Sequence, residues 1–411
     1  MPRLKGFEKL TNIEEAFSVF SEKLKAKRLK SVQIPVGKAF GRILAIDVKA
    51  DYDLPRSDRI AVDGYAIKAQ NTFEASQFNP KRLRLTEDEQ VHENEARQIW
   101  TGNPLPPGAD TVVMLEHTRR IRDGIEVLTP VTLGENVSKR GEDVRKGEIA
   151  VGAGTRLKPH HIGLLAALGL THVRVVEKPE VALLSTGNEL VDPGCRAESN
   201  QLVDVNRLII SCMCSELGAK ATDLGIAKDD IDEISARILK GLEEADVVII
   251  TGGTSVGHAD LVPAAVNKVG DPGVVVHGVA MRPGMPTALA ILLGKPVFML
   301  PGNPVAAMIG FEVFVRPLLF KLLGIENDPR PMLKAKLTHR VASVLGRRVF
   351  LRVHVYERDN EFFADPVRIK GSGILSTMTK ANGYVMIPED SEGLEEGESV
   401  IVHLFDKIVV A

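Results

Sequence analysis

Four short stretches of the 411-residue chain concentrate the side chains and bare backbone that could hold an anion or a metal ion. STGNELVDPG places Gly187 where backbone can approach a ligand closely and follows it with two carboxylates, Glu189 and Asp192. A polar turn would use the same residue types. TGGTSVGHAD, residues 251–260, sets Gly252, Gly253 and Gly257 among the hydroxyls of Thr251, Thr254 and Ser255. Backbone N–H groups in such a turn form a concave nest for phosphate or another oxyanion, and Asp260 at its end suits a divalent cation or a water. LPGNPVAAM offers Asn303 as a helix cap and Pro304 as the first helical residue, after a stiff approach through Pro301 and Gly302. The free N–H groups of that helix start favour an anion. AMRPGMP puts Arg282 on a Pro-Gly turn, where a guanidinium can grip phosphate through two parallel hydrogen bonds.

These loops need a common frame. The strand signals EVALLST, ADVVIIT and KPVFML each lead into a glycine-containing loop and then a helical segment. Alternation at that spacing predicts an α/β domain built on an open, mostly parallel sheet, whose ligands bind at the carboxyl ends of the strands. The second loop also contains G-x-S-x-G, which in a serine hydrolase would make Ser255 a nucleophile on an elbow. An elbow joins strand to helix directly. Here an extra Thr-Gly precedes the motif, His258 to Pro263 follow it, and no new acid precedes His277, the nearest candidate base.

Elsewhere the texture changes. Residues 10–30 have helical spacing, with Thr11 as the expected N-cap and Glu14 closing a capping box. Residues 51–144 alternate short apolar runs with Gly, Pro and Asp turns, which predicts an inserted mostly-β domain. KPHHIGLLAALGL is a helix with Pro159 in its first turn and Gly169 at its end. Its adjacent His160 and His161 point apart, as surface residues rather than ligands. Residues 326–411 predict a small β-barrel-like domain.

Bulk composition excludes several function classes. Lys plus Arg (52) nearly balances Asp plus Glu (54), which argues against nucleic acid or an anionic membrane as the main partner. Three cysteines, Cys195, Cys212 and Cys214, make no disulfide framework, so a reducing cytoplasmic setting is expected. Cys212 and Cys214 read as helix packing rather than a thiol metal site. MPRLKGFEKL lacks the apolar run of a signal peptide, and no stretch is long and apolar enough to span a bilayer.

In order, AVDGYAI, TGNPLPPGADTVVM, GENVSKRGEDVRKGE, STGNELVDPG, VDVNR, TGGTSVGHAD, MRPGMP, LPGNPVAA and GSGILSTMTKANGYVMIPE resemble the molybdopterin molybdenumtransferase family. Single motifs are modest, but nine in order over residues from about 50 to 395 are specific. The resemblance implies four domains: 1–28 with 179–325 as a three-layer molybdopterin-binding domain, 29–50 with 145–178 as a linking domain, 51–144 and 326–411. It implies a homodimer whose active site lies between this binding domain and the inserted and C-terminal domains of the partner. The implied reaction takes adenylyl-molybdopterin and molybdate or tungstate, with Mg²⁺, to molybdenum cofactor and AMP. On this resemblance Asp63, Thr101 and Asp143 match functional positions of the inserted domain. Glu189, Asp229 and Asp260 match acidic residues, here assigned to metal and water, and Arg282 a phosphate-side base. Pro301 and Pro304 match the PGNP loop, and Arg347, Arg348 and Ser372 an oxyanion patch. Two positions depart: Met285 stands where the family usually has Lys, and Asn188 where it often has Asp. A non-catalytic pterin-binding scaffold on the same fold is the alternative, though a scaffold has no need of the acidic set.

Overall fold

The structure is a computed structural model that describes residues 10–26, 28–254, 261–325, 330–368, 371 and 373–410. The chain divides into two compact units, Met1–Val32 with Val176–Ala411, and Gln33–Val175.

The first unit is built on a six-stranded sheet, in the order Lys220–Ala227, Glu180–Thr186, Val247–Thr251, Lys295–Leu300, Ala288–Leu292, Pro272–His277. The first four strands are parallel, and the last two each run antiparallel to their neighbour. The central strands are apolar on both faces because helices cover both, the condition for a parallel sheet. Alternate residues separate the layers. Val181, Leu183, Val247 and Ile249 pack with Ala16 and Phe20 of helix Ile13–Leu24, Ile210 of helix Asn206–Glu216, and Phe311 and Phe314. Ala182, Leu184, Val248 and Ile250 pack with Ile234 and Ile238 of helix Ile231–Glu244 and Ala265 and Val266 of helix Val262–Val269. This is the expected three-layer α/β arrangement, with an antiparallel hairpin added that the apolar runs did not reveal.

Helix Ile13–Leu24 starts one residue later than its capping box predicts. Asn12 is the N-cap and its side chain accepts from Glu15 N–H at 2.7 Å. Thr11 instead bridges Val279, donating its N–H to Gly278 and accepting from Ala280. Cys214 is buried in the core on the adjoining helix, where burial pushes its thiol up to about 12, whereas Cys212 is exposed.

The same unit carries a closed five-stranded barrel of Met332–Leu337, Arg348–Arg358, Glu361–Arg368, Gly383–Ile387 and Ser399–Leu404. Val353, Val355, Ala364, Ile387 and Val402 fill it. A two-residue strand, Met281–Arg282, pairs in parallel with Arg348 and Val349. The MRPGMP turn thereby adds a short strand to the edge of the barrel.

The second unit holds a six-stranded sheet ordered Thr111–Met114, Gly64–Ile67, Glu95–Ile99, Lys81–Leu85, Gly124–Val127, Thr118–Ile121. A separate core of Val36, Leu44, Leu157, Leu165 and Val175 packs under helix Pro159–Ala167. His161 Nδ1 accepts from Lys158 N–H at 3.0 Å, so this histidine finishes a helix start. No helix among the described residues is long and apolar enough to cross a membrane.

Candidate active site

The carboxyl ends of three neighbouring strands meet. Ser185 and Thr251 share a hydroxyl hydrogen bond of 2.8 Å, and Gly252 N–H donates to the Leu300 carbonyl at 3.1 Å. Gly252 has φ +91°, and a Cβ there would stand 2.5 Å from the Thr186 carbonyl oxygen, so no side chain fits between these strand tips. A Cβ on Gly302 would lie 3.5 Å from the Gly252 Cα, which puts the PGNP turn against the TGGT turn. Thr186 Oγ1 beside them is buried and without a hydrogen-bond partner.

The acids stand at the first of these tips. The Glu189 carboxylate folds back over Gly187: both its oxygens are 2.8 Å from where a Cβ on that glycine would be. Asn188 and Asp229 hold each other reciprocally, each backbone N–H donating to the other's side-chain oxygen at 3.2 Å. Asp229, from another loop, is thereby tied to the residue that precedes Glu189. Asp192 is not part of this group, because Arg207 claims it at 2.5 Å. Among the described residues no three acid, His or Cys side chains are placed to hold a metal. Ser255, Gly257, Asp260 and Ser372 lie outside the described residues.

Beside the PGNP turn is a cavity of about 300 Å³ whose lining includes Arg282, Met285, Pro301, Asn303, Arg347 and Arg352. Three guanidinium-bearing residues and no carboxylate among the described lining residues make it a place for an anion. Arg352 is 3 % exposed, and burial lowers its pKa. Met285 brings no charge, but Arg282, Arg347 and Arg352 supply cations to the same cavity. Asn303 is the N-cap of helix Pro304–Gly310, with Pro304 in the first turn, yet its side chain makes no capping bond. Arg348, assigned with Arg347 to the oxyanion patch, is instead committed to Glu14 at 2.5 Å and Glu389 at 3.0 Å. Burial opposes its charge, but those carboxylates raise its pKa.

In the second unit, Asp63 accepts from Thr101 twice, from the backbone N–H at 2.8 Å and the hydroxyl at 2.7 Å. These two bonds hold its pKa below the ordinary carboxylate value. The stabilisation they give is present above the unfolded carboxylate pKa and lost as pH falls through the lowered folded one. Thr101→Ala keeps the backbone donor and removes the hydroxyl, so Asp63 is expected to titrate part of the way back toward its ordinary value. Carbon-13 NMR titration of the Asp63 carboxyl reads this, and an unmoved midpoint would discard the Thr101 hydroxyl as a cause. Asp143 is exposed, with its backbone N–H on the Leu54 carbonyl. Arg140 donates Nε to Asp53 at 2.6 Å and its backbone N–H to Asp58 at 2.9 Å, tying the RGED turn to residues 53–58.

Comparison with known proteins decides the lineage. Residues 11–169 match the MoeA N-terminal region (domain I and II), 182–321 a probable molybdopterin binding domain, and 334–405 the MoeA C-terminal region (domain IV). The molybdopterin molybdenumtransferase of Bacillus subtilis is 33% identical over 88% of this chain and 87% of its own. A putative molybdopterin biosynthesis protein of Methanocaldococcus jannaschii is 36% identical over 98% of this chain and all of its own. The chain belongs to the molybdopterin molybdenumtransferase (MoeA) family. The crystal structure of a molybdopterin biosynthesis moeA protein from Pyrococcus horikoshii OT3 superposes with a TM-score of 0.81 at 33% identity, covering 97% of this chain and all of that one.

Set on the family's regions, the glycine tips, Glu189, Asp229 and the PGNP turn all fall in the molybdopterin-binding match, and Arg347 and Arg352 in the C-terminal one. Sequence reasoning missed what VDVNR does. Asp204, Asn206 and Arg207 are all buried, at 2, 7 and 6 % exposure. Polar residues that close together at a helix start were the available signal, since buried polar groups must find partners.

Proposed function

We propose that the protein inserts molybdate or tungstate into adenylyl-molybdopterin and releases AMP, in molybdenum cofactor biosynthesis. The observation that carries this reading is the convergence of bare backbone at Gly187, Gly252 and Gly302 with two carboxylates, beside an anion cavity free of acids among its described lining residues. The strand tips accept the phosphorylated pterin, whose phosphates can approach bare backbone that is fixed before the ligand arrives. Arg282, Arg347 and Arg352 hold a tetrahedral dianion in the adjoining cavity. Positioning the two substrates side by side accounts for much of the rate, and no covalent enzyme nucleophile is required.

Glu189 and Asp229 are hard oxygen donors, and Mg²⁺ commonly takes one or two carboxylates with substrate phosphates rather than a full protein cage. They fit that role, and Mg²⁺ held there would neutralise charge on the pyrophosphate. Asp63, Thr101 and Asp143 stay in the reading on the strength of the family motifs, as does the homodimer. Three free cysteines favour a reducing compartment, the cytoplasm.

Purified protein supplied with adenylyl-molybdopterin and Mg²⁺ should release AMP only when molybdate or tungstate is added. Comparing the two oxyanions sets the preference. No AMP release with either one ends the proposal.

A further inference from the structure

One side chain holds the PGNP turn to the rest of the strand tips. Asn206 Nδ2 donates to the Gly302 carbonyl at 2.8 Å, across 96 residues of sequence. Asn206 opens helix Asn206–Glu216 and is only 7 % exposed, so the contact lies on the protein side of the turn. Its own position is fixed from behind. Asp204 Oδ1 accepts from Asn206 N–H at 3.0 Å and Asp204 Oδ2 from Arg207 Nε at 2.5 Å. The Arg207 fork continues to Asp192 and Asp223, each at 2.5 Å.

The other end of this segment is fastened to the Glu189 loop by backbone. Leu202–Val203 pairs with Leu190–Val191, Leu202 N–H donates to the Glu189 carbonyl at 2.8 Å, and Asp204 N–H to the Val191 carbonyl at 2.9 Å. Residues 202–207 therefore form a short brace, pinned to the acid-bearing loop at one end and to the PGNP turn at the other.

We infer that Asn206 is a positioning residue, setting the Pro301–Pro304 turn against the Glu189 loop so that both face one phosphorylated pterin. This rests on the function proposed above. Gly302 is exposed, so water can replace the amide on its carbonyl when the side chain is removed. The fold then loses little, while the turn loses its fixed register. Asn206 touches none of the groups assigned to metal or oxyanion, and its effect reaches the ligand through Gly302.

The test uses full-length protein and equilibrium binding of adenylyl-molybdopterin, which needs no turnover. Asn206→Ala should weaken binding by roughly tenfold, the cost of ordering the freed turn on the ligand, with a nearly unchanged melting temperature. Asn206→Asp keeps the shape and removes the donor at neutral pH. Beside buried Asp204 and despite Arg207, its new carboxyl should take up a proton readily, and the neutral acid is again a donor. Its affinity should recover as pH falls, whereas that of Asn206→Ala should not. Wild-type affinity in Asn206→Ala overturns the inference, as does an Asn206→Asp profile that follows Asn206→Ala at every pH. A melting temperature that falls in step with affinity in Asn206→Ala overturns it too, because the residue then serves the fold alone. Wild-type protein that binds the nucleotide-pterin yet releases no AMP defeats the transferase reading separately, and leaves the brace measurable.

Discussion

Glu189→Gln is expected to slow AMP release from adenylyl-molybdopterin by about a hundredfold or more, the scale of losing a group that acts on the reacting phosphates. The substitution is nearly isosteric and removes one negative charge. Glu189 is exposed and makes no ion pair among the described residues, so folding should be untouched and thermal unfolding should match the wild type. Its carboxylate lies over the Gly187 backbone, and the neighbouring Asn188 is bonded to Asp229. On the proposed function, neutralising it would leave a weaker seat for Mg²⁺ and one charge fewer beside the substrate phosphates. Single-turnover AMP release at saturating molybdate is the direct measurement. A rate equal to wild type would remove Glu189 from the mechanism, whatever its place in the structure.

Arg207→Ala should produce the largest loss of stability, about 3 kcal/mol, the lower end of what breaking a buried ion pair costs. Burial works against the Arg207 charge, but the hydrogen bonds it donates to Asp204, Asp192 and Asp223 raise its pKa well above the usual value. The three partners are not equal. Asp192 and Asp223 side chains are 67% and 65% exposed and can turn to water when the guanidinium is removed. The Asp204 side chain is 1% exposed and has nowhere to go, so the cost is mostly that of an uncompensated buried carboxylate. Urea unfolding followed by far-ultraviolet circular dichroism should show an earlier midpoint with a similar slope. An unmoved midpoint would mean that Asp204 is satisfied without its arginine. Arg207→Ala should also loosen the Asp192 side of the Glu189 loop, so its activity loss cannot be read as catalytic. Glu189→Gln, with its intact fold, is the cleaner test of chemistry.

The two substitutions separate what the site spends its carboxylates on. Asp192 and Glu189 occur three residues apart in one polar loop, and nothing in STGNELVDPG distinguishes a ligand-facing acid from one that serves a salt bridge. The distinction comes from Arg207, 15 residues away from Asp192. Arg347 and Arg348 present the same problem. They are adjacent on the edge of a barrel strand, where successive side chains point to opposite sides. One lines the anion cavity and the other reaches Glu14, 334 residues earlier in the chain. Spacing alone assigns them the same role.

Local chemistry was legible in the residues themselves. Apolar runs that end in Gly-rich turns specify strands followed by loops, because a run buried on both faces must be covered by helices and a turn of positive φ admits little but glycine. The order of nine such segments was enough to name the family. The barrel and the helix with Pro159 in its first turn likewise follow from periodicity and punctuation. Tertiary structure alone decided which polar groups are spent on one another. Asn206 on Gly302, Arg207 on Asp192 and Asp223, Arg348 on Glu14 and Thr11 on Val279 are all pairings outside any local window. Each depends on the register of whole elements, and a hydrogen bond forms or fails over less than an ångström. No local window carries that information, so the residues left facing the ligand emerge only after the folded chain has satisfied the rest.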